Sequence, residues 1–492
     1  MEPSAYEILF SRQHPQLAKN LHVWERSRAA YAGGGGYIKR ALVKHVSEND
    51  LEYAERLARG YYFNYPRKVA TMITRHVLAR TPTRDGADPD IVEDFSRSGL
   101  RANEVMRQFC TMLNTYGMAW MMVDMPGFQA PLTMQAKAEG RIRPYAYALP
   151  PLDVPDWAYG LDGKLLWAIV KERGVECSDP LAKPMFKDYR RLWTRDSWML
   201  LSKSDNGKLK VESEGKHKLG QVPLIRVEEC DGFGMDASHW FEDVVRVSDA
   251  ILNHESEAQM NAVKQMFGLL VVSEGFYFGG GKESSTGGEA DSFAHTLSRS
   301  AAIYEGEQEK GTTRYIAPNG VETATLRSEI QNLKKELFDI VGLAVQKESK
   351  TEQTAESKAW DNQNVEQYLA ARADTLEQVE NQVWQLMNAW DKTVTAPQVK
   401  YNRIFSVVDL QAAVGSLLEL SSLDTGEEFK REVARAALTV LARIKEVPQD
   451  VAEKIAKEIE ALDLTPEAAL PAVDNSAFGK PQNNQNMEGL GK

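Results

Sequence analysis

From Glu322 to Val345, the residues Leu326, Ile330, Leu333, Leu337, Ile340 and Ala344 recur at alternating steps of four and three. That rhythm puts them on one side of an α-helix as a continuous seam. A second run, from about Ala355 to Lys392, repeats it through Val365, Leu369, Leu376, Val379, Val383, Leu386 and Trp390, interrupted only by Arg372. At about 1.5 Å per residue such a helix exceeds roughly 50 Å, too long for a small compact domain to enclose. A third helix is expected from His239 to about Phe267, with Phe241, Val244, Val245, Ile251 and Leu252 apolar early and the polar HESEAQMN later. Burying the first seam is worth on the order of 10 kcal/mol before chain entropy is subtracted. These helices must pack along something: one another, or neighbouring copies. Spacing alone does not separate the two.

The rest of the chain points to an α+β fold, mainly helical. Leu51 to Ala79 has helical spacing, with Pro66 expected to break it, and Ile91 to Leu113 reads as a second helical stretch. The compact apolar run Ala119 to Val123, ended by Pro126-Gly127, reads as a buried strand. LLWAIVKE, YRRLWT, SWMLL, KLKVES and VPLIRVEE then follow between Leu165 and Glu229, separated by turn residues, and predict an antiparallel sheet. Further helices are expected over Asp409 to Ser421, Glu427 to Arg443 and Asp450 to Leu462. Thr465 to Lys492, rich in Pro, Asn, Gln and Gly, reads as a disordered tail.

The 492 residues suffice for several domains, and the 43% hydrophobic and 26% charged content is that of a soluble protein. A net charge of −11 argues against a chain that grips nucleic acid through an overall basic surface. Neither a membrane-spanning run nor a signal peptide is recognisable, so no membrane partner is expected. Three scattered cysteines, Cys110, Cys177 and Cys230, predict neither a disulfide framework nor a zinc site.

The chemistry-bearing candidates fail on their details. In FGGGKESSTGGEAD, Gly279, Gly280, Gly281 and Lys282 suggest a phosphate loop, but Glu283 stands where Ser or Thr must reach Mg²⁺, and Phe276 replaces the first glycine. A surface loop between two strands is expected instead. Gly33 to Gly36 lacks a following Lys-Ser/Thr and reads as a hinge or turn. His254-Glu255-Ser256-Glu257 lacks the second histidine of a zinc hydrolase motif, and no Gly-x-Ser-x-Gly elbow occurs. Trp157, Trp167, Trp193, Trp198 and Trp240 lack the basic interleaving of a base-stacking platform and are expected to be core. Neither catalysis nor a cofactor is expected.

Taken in order, NYPRKVATMITRHVLARTP, YGMAWMMVDMPG, RPYAYALPPLDVPDW, VPLIRVEE before an acidic helix, and GLAVQKESKTEQTAESKAWDNQNVEQYL resemble the portal proteins of tailed bacteriophages. The resemblance spans about Tyr31 to Asp391. It implies a wing over 1–238, stem helices over 239–267 and 322–345, a clip over 268–321, a tunnel loop over 346–356, a linking helix over 357–400, a helical crown over 401–464 and a tail over 465–492. The glycine-serine loop, which has no residue-level match in that family, would be an excursion of the clip. Gln346, Lys347, Glu348, Ser349, Lys350, Thr351, Glu352 and Gln353 would form the tunnel loop, its lysines brought together as rings of charge. Leu326, Ile330, Leu333, Leu337 and Ile340 would pack the stem. The implied assembly is a ring of about twelve identical subunits at one capsid vertex, in the virion, put together in the host cytoplasm. It would pass double-stranded DNA without reading its sequence, and bind the major capsid protein, the terminase large subunit and later a neck or adaptor protein. The competing expectations are another phage head or neck component, or a cytoplasmic enzyme without a recognisable motif.

Overall fold

A computed structural model describes residues 3–46, 48–125, 143–176, 181, 185–203, 209–229, 239–266, 269–273, 303–305, 314–316, 320–340, 355–403, 405, 427–444, 454–455 and 457–460. The chain forms two compact units, Met1–Phe405 and Ser406–Lys492.

The first unit opens with helices α1 (Pro3–Ser11), α2 (Pro15–Ala32), α3 (Gly35–Ala41), α4 (Asp50–Arg59) and α5 (Tyr65–Val77). The expected Leu51–Ala79 helix is therefore two. The break is at Gly60–Asn64, and Pro66 lies inside the first turn of α5, where a missing N–H costs nothing because no carbonyl precedes it in the helix. Asn64 caps that turn by accepting from the Arg67 backbone N–H. Strand β1 (Thr83–Asp85) and the short helix α6 (Pro89–Glu93) follow, then α7 (Ala102–Tyr116). The stretch expected as one helix from Ile91 is likewise interrupted. Gly99 has φ +84° and Arg97 φ 61°, left-handed conformations incompatible with a continuing right-handed helix.

Helix α7 ends at Gly117, whose φ of 69° closes the helix and turns the chain into β2 (Met118–Asp124). This strand is buried along its whole length and separates two cores. Ala119, Met121 and Val123 face the main core with α5 and α7, and Met118, Trp120 and Met122 face a second core. Period-two alternation therefore produces an uninterrupted apolar run when both faces of a strand are covered.

Strand β2 is the centre of an antiparallel sheet, between β3 (Tyr145–Leu149) and β9 (Leu224–Glu228). Between those two in sequence, β4 (Asp156–Tyr159), β5 (Leu165–Glu176), β6 (Met185–Thr194), β7 (Ser197–Lys203) and β8 (Leu209–Lys216) form an antiparallel meander. The expected antiparallel sheet is present, except that VPLIRVEE leaves it to pair with β2, Met121 opposite Ile225. Trp24, Trp120, Trp157 and Trp193 fill the second core.

The chain continues as α8 (Trp240–Met266), the strands β10 (Leu269–Ser273), β11 (Ile303–Glu305) and β12 (Arg314–Ile316), α9 (Val321–Ile340) and α10 (Ala355–Trp390). Strand β10 is parallel to β11 and antiparallel to β12. Strand β13 (Gln398–Lys400) returns to pair with β1, Val399 opposite Arg84. In the second unit, α11 (Glu427–Ile444) is described, along with helical turns at 454–455 and 457–460. The helix expected over 409–421 and the tail lie outside the described residues.

Candidate functional site

The feature with the strongest claim to a role is the pair α8 and α9. Two side-chain contacts, Gln265 to Thr323 at 3.3 Å and Lys334 to Glu255 at 3.2 Å, fix them as antiparallel neighbours. They flank the small three-stranded sheet in sequence.

The first half of α8 is anchored in the body. Phe241 and Val245 join Ala30, Tyr37 and Ala70 in a small cluster, and Val244 and Ile251 enter the main core. Glu242 and Asp243 lie in its first turn, where the positive end of the helix dipole favours carboxylates. About two turns further, Asp249 takes an ion pair from Arg26 at 2.6 Å and a hydrogen bond from the Tyr37 hydroxyl. Burial and the neighbouring carboxylate push that hydroxyl far above its ordinary pKa, so it remains a donor. Asn253 accepts from the Val43 N–H at 2.9 Å and donates to Ala41.

Helix α9 uses only part of its seam. Thr323, Ile330 and Leu337 are buried, one residue every two turns, with Leu337 fully enclosed. The alternate row is different: Leu326 and Leu333 are half-buried, and Ile340 is 39% exposed. Of the predicted stem residues, Ile330 and Leu337 thus lie within the subunit, and Leu326, Leu333 and Ile340 keep free surface.

A buried charge links the start of this hairpin to α10. Arg372, at the position where the seam is interrupted, is 3% exposed. Its guanidinium pairs with Glu229 and donates to the Tyr368 hydroxyl at 2.9 Å, and His239 Nε2 stands 3.6 Å from the same carboxylate. Burial alone would raise the Glu229 pKa, but His239 and Arg372 outweigh it and hold the group below the usual glutamate range. The His239 ring packs on Gly117, where a Cβ would meet it at 2.8 Å. Sequence reasoning registered Arg372 as an interruption but not this site. A cation inside an apolar seam was the available signal, because such a charge needs a buried partner.

Other candidates do not assemble into chemistry. His254 Nδ1 is 3.6 Å from Glu257, and among the described residues no group of three or more His, Cys, Asp or Glu could hold a metal ion. A cleft of about 330 Å³ beside α8 is lined by His45, Glu48, Glu52, Arg56, Glu257, Met260 and Asn261, but Arg56 is locked onto Glu48 at 2.8 Å. Of the five tryptophans expected in the core, Trp157 and Trp193 are buried there, with Arg226 5.3 Å over the Trp157 ring, whereas Trp167, Trp198 and Trp240 are half-buried. Cys110 is buried and unbonded to another cysteine. No described helix is long and apolar enough to cross a membrane. The loop Gly279, Gly280, Gly281, Lys282 and the segment Gln346 to Gln353 lie outside the described residues.

No protein-family model and no curated protein matches this sequence. The solved structures that this chain resembles include chains of gene transfer agent (GTA) particles. A chain of the neck of the native particle, computed with C12 symmetry, shares 8% identity at a TM-score of 0.38, over 75% of this chain and 89% of that one. A chain of the empty-particle neck, computed with C6 symmetry, shares 9% at 0.37, over 80% and 96%. A chain of the native virion shares 9% at 0.38, over 83% and 98%.

Proposed function

We propose that this chain is the subunit of a portal ring, about twelve copies at one vertex of a phage-type capsid, through which double-stranded DNA is packaged and ejected. The observation that carries the reading is the divided seam of α9: one apolar row is buried in the subunit, and the alternate row Leu326, Leu333 and Ile340 retains surface. A ring of identical subunits needs a heterologous contact that closes by rotation, and a half-used helix seam offers apolar surface for it.

Charge is consistent with a conduit. The stem helices together are acidic, α8 at −3 and α9 at −1, and each copy carries −11 overall. A wall of that sign repels phosphates and lets duplex slide, whereas roughly six to ten lysine–phosphate contacts would hold it. Lys347 and Lys350 would supply rings of positive charge where the DNA is guided. The role is structural: the ring contacts the major capsid protein, docks the terminase large subunit that supplies the energy, and then receives a neck or adaptor protein.

Electron microscopy of the purified full chain tests this. Rings with an axial opening wide enough for duplex DNA are expected, and a solid single-copy particle under assembly conditions overturns the reading.

A further inference from the structure

Within this acidic chain one segment has the opposite sign. Residues 12–84 hold fourteen lysines and arginines against five acidic residues, so the remainder of the chain carries −20. From 61 to 84 there is no Asp or Glu at all, while Arg67, Lys68, Arg75, Arg80 and Arg84 all fall there. Arg84 is turned inward onto the fully buried Glu380. The others are exposed.

These cations share one surface. Asn114 donates to the Ala70 carbonyl at 3.2 Å and the Thr74 and Thr111 hydroxyls are 3.2 Å apart, so α5 and α7 run antiparallel side by side. One turn further in the same register, Arg107 falls level with the end of α5 at Leu78, one turn past Arg75, and Arg80 follows two residues after that end. Arg107 and Gln108 are exposed, and Thr71 and Thr111 lie half-buried between the rows. No carboxylate pairs with Lys68, Arg75, Arg80 or Arg107 among the described residues. At its other end the face is held by Arg67, which donates to the Tyr31 and Ala32 carbonyls at 2.8 and 2.7 Å and lies over the Tyr31 ring.

We infer that the outer face of α5 and α7 binds the phosphate backbone of duplex DNA. The face itself stands on the charges and register above, and the choice of duplex DNA as its polyanion rests on the portal reading. Arg, Lys, Thr and Gln are the side chains that contact phosphates, and these positions supply them with one sign of charge. A contact between copies is disfavoured by composition, since its centre would need large apolar side chains, and the exposed positions of α5 and α7 themselves hold none, the exposed Tyr61 and Phe63 lying before α5. From Arg67 to Arg75 the helix advances about 12 Å, the axial reach of roughly three to four phosphates of one strand. The acidic stem then lets DNA slide, and this basic face holds it.

The test is fluorescence anisotropy of a labelled duplex with the full chain across a salt series, set beside sedimentation of the same samples. Replacing Arg75, Arg80 and Arg107 by alanine should weaken binding on the order of tenfold or more and lower the log–log salt slope by about 2 to 3. The triple lysine variant, which keeps the charges, should retain the slope. A wild-type chain that does not bind duplex, an alanine variant with unchanged slope, or polyglutamate competing as well as unlabelled duplex each overturns the inference. So does loss of rings with DNA binding intact, which would make the face a contact between copies. Rings with an unaltered slope remove the face and leave the portal reading. A reduced slope without rings does the reverse.

Discussion

Helices α9 and α10 carry the same four-three rhythm and are used in opposite ways. The seam of α10 is enclosed by its own chain: Leu369, Leu376, Val379 and Val383 are buried in the main core, and Trp384 and Met387 join them. Its two off-pattern charges are enclosed as well, Arg372 on Glu229 and Glu380 on Arg84 at 2.5 Å, with the Tyr401 hydroxyl also donating to Glu380 at 2.5 Å. In α9 only one row is enclosed. An apolar seam therefore states that a helix packs, and the polar residues within it say where. Fully buried charges that find partners from distant segments mark a helix threaded through a body, whereas the cross-segment ion pair of α9, Lys334 to Glu255, is part-exposed, as on a helix lying at the surface.

The largest expected effect is at Glu380. Replacing it by alanine leaves the Arg84 guanidinium buried without its carboxylate, at a cost of about 3–5 kcal/mol. The double replacement Glu380→Leu with Arg84→Met should recover most of that, because two matched apolar groups need no compensation. Chemical denaturation of the three proteins measures both. A loss below about 1 kcal/mol in Glu380→Ala would mean that α10 is not anchored by this pair, and the contrast with α9 would collapse.

The seams themselves give the next test. Leu376→Ala, at a fully buried position, should cost the folded subunit about 2–5 kcal/mol. Leu326→Ser combined with Ile340→Ser should leave subunit unfolding within about 1 kcal/mol of wild type, since both positions are partly solvated already. Sedimentation should nevertheless show fewer assembled rings. If the double serine variant assembles normally, the free row of α9 is not the contact between copies, although the burial difference between the helices would stand.

Much of this architecture could be read from the residues, and the failures have physical causes. The long helices emerged from periodicity, and the buried strand, expected over Ala119–Val123 and found over Met118–Asp124, and the meander from short apolar runs between turn residues, all of them local signals. The partner of β9 did not, because pairing Met121 with Ile225 depends on a contact across a hundred residues that no local rule encodes. Pro66 was misplaced for a different reason. Proline ends a helix from its interior but begins one from its first turn, and only the Asn64 cap distinguishes the cases. The site was less accessible still. The basic α5–α7 face was hidden by a net charge averaged over the whole chain, and the Arg372–Glu229–His239 cluster joins residues far apart in sequence.

The smallest expected effect separates two buried networks by their response to pH. Asp124 accepts from Arg191 at 3.2 Å and from the Tyr145 hydroxyl at 3.1 Å, and Arg191 also pairs with Glu172 at 2.8 Å. Burial raises the pKa of both carboxyls despite that shared guanidinium, and Asp124 adds to the rise at Glu172. A raised carboxyl binds protons more readily folded than unfolded, so its contribution to stability grows as pH falls from above its folded pKa toward the ordinary carboxylate range. Glu229 behaves oppositely. Its lowered pKa contributes stability above the ordinary glutamate value, and that stability is lost as pH falls through the folded value. Asp124→Asn should therefore lessen the gain in unfolding midpoint as pH falls through the raised carboxyl value toward the ordinary carboxylate range, and Glu229→Gln should remove a loss that sets in only below the ordinary glutamate range. Thermal unfolding across that range reads both slopes. Parallel slopes in the two variants would mean that the carboxylates sit in equivalent environments, and that the partners of Arg372 do not distinguish α10 from the rest of the body.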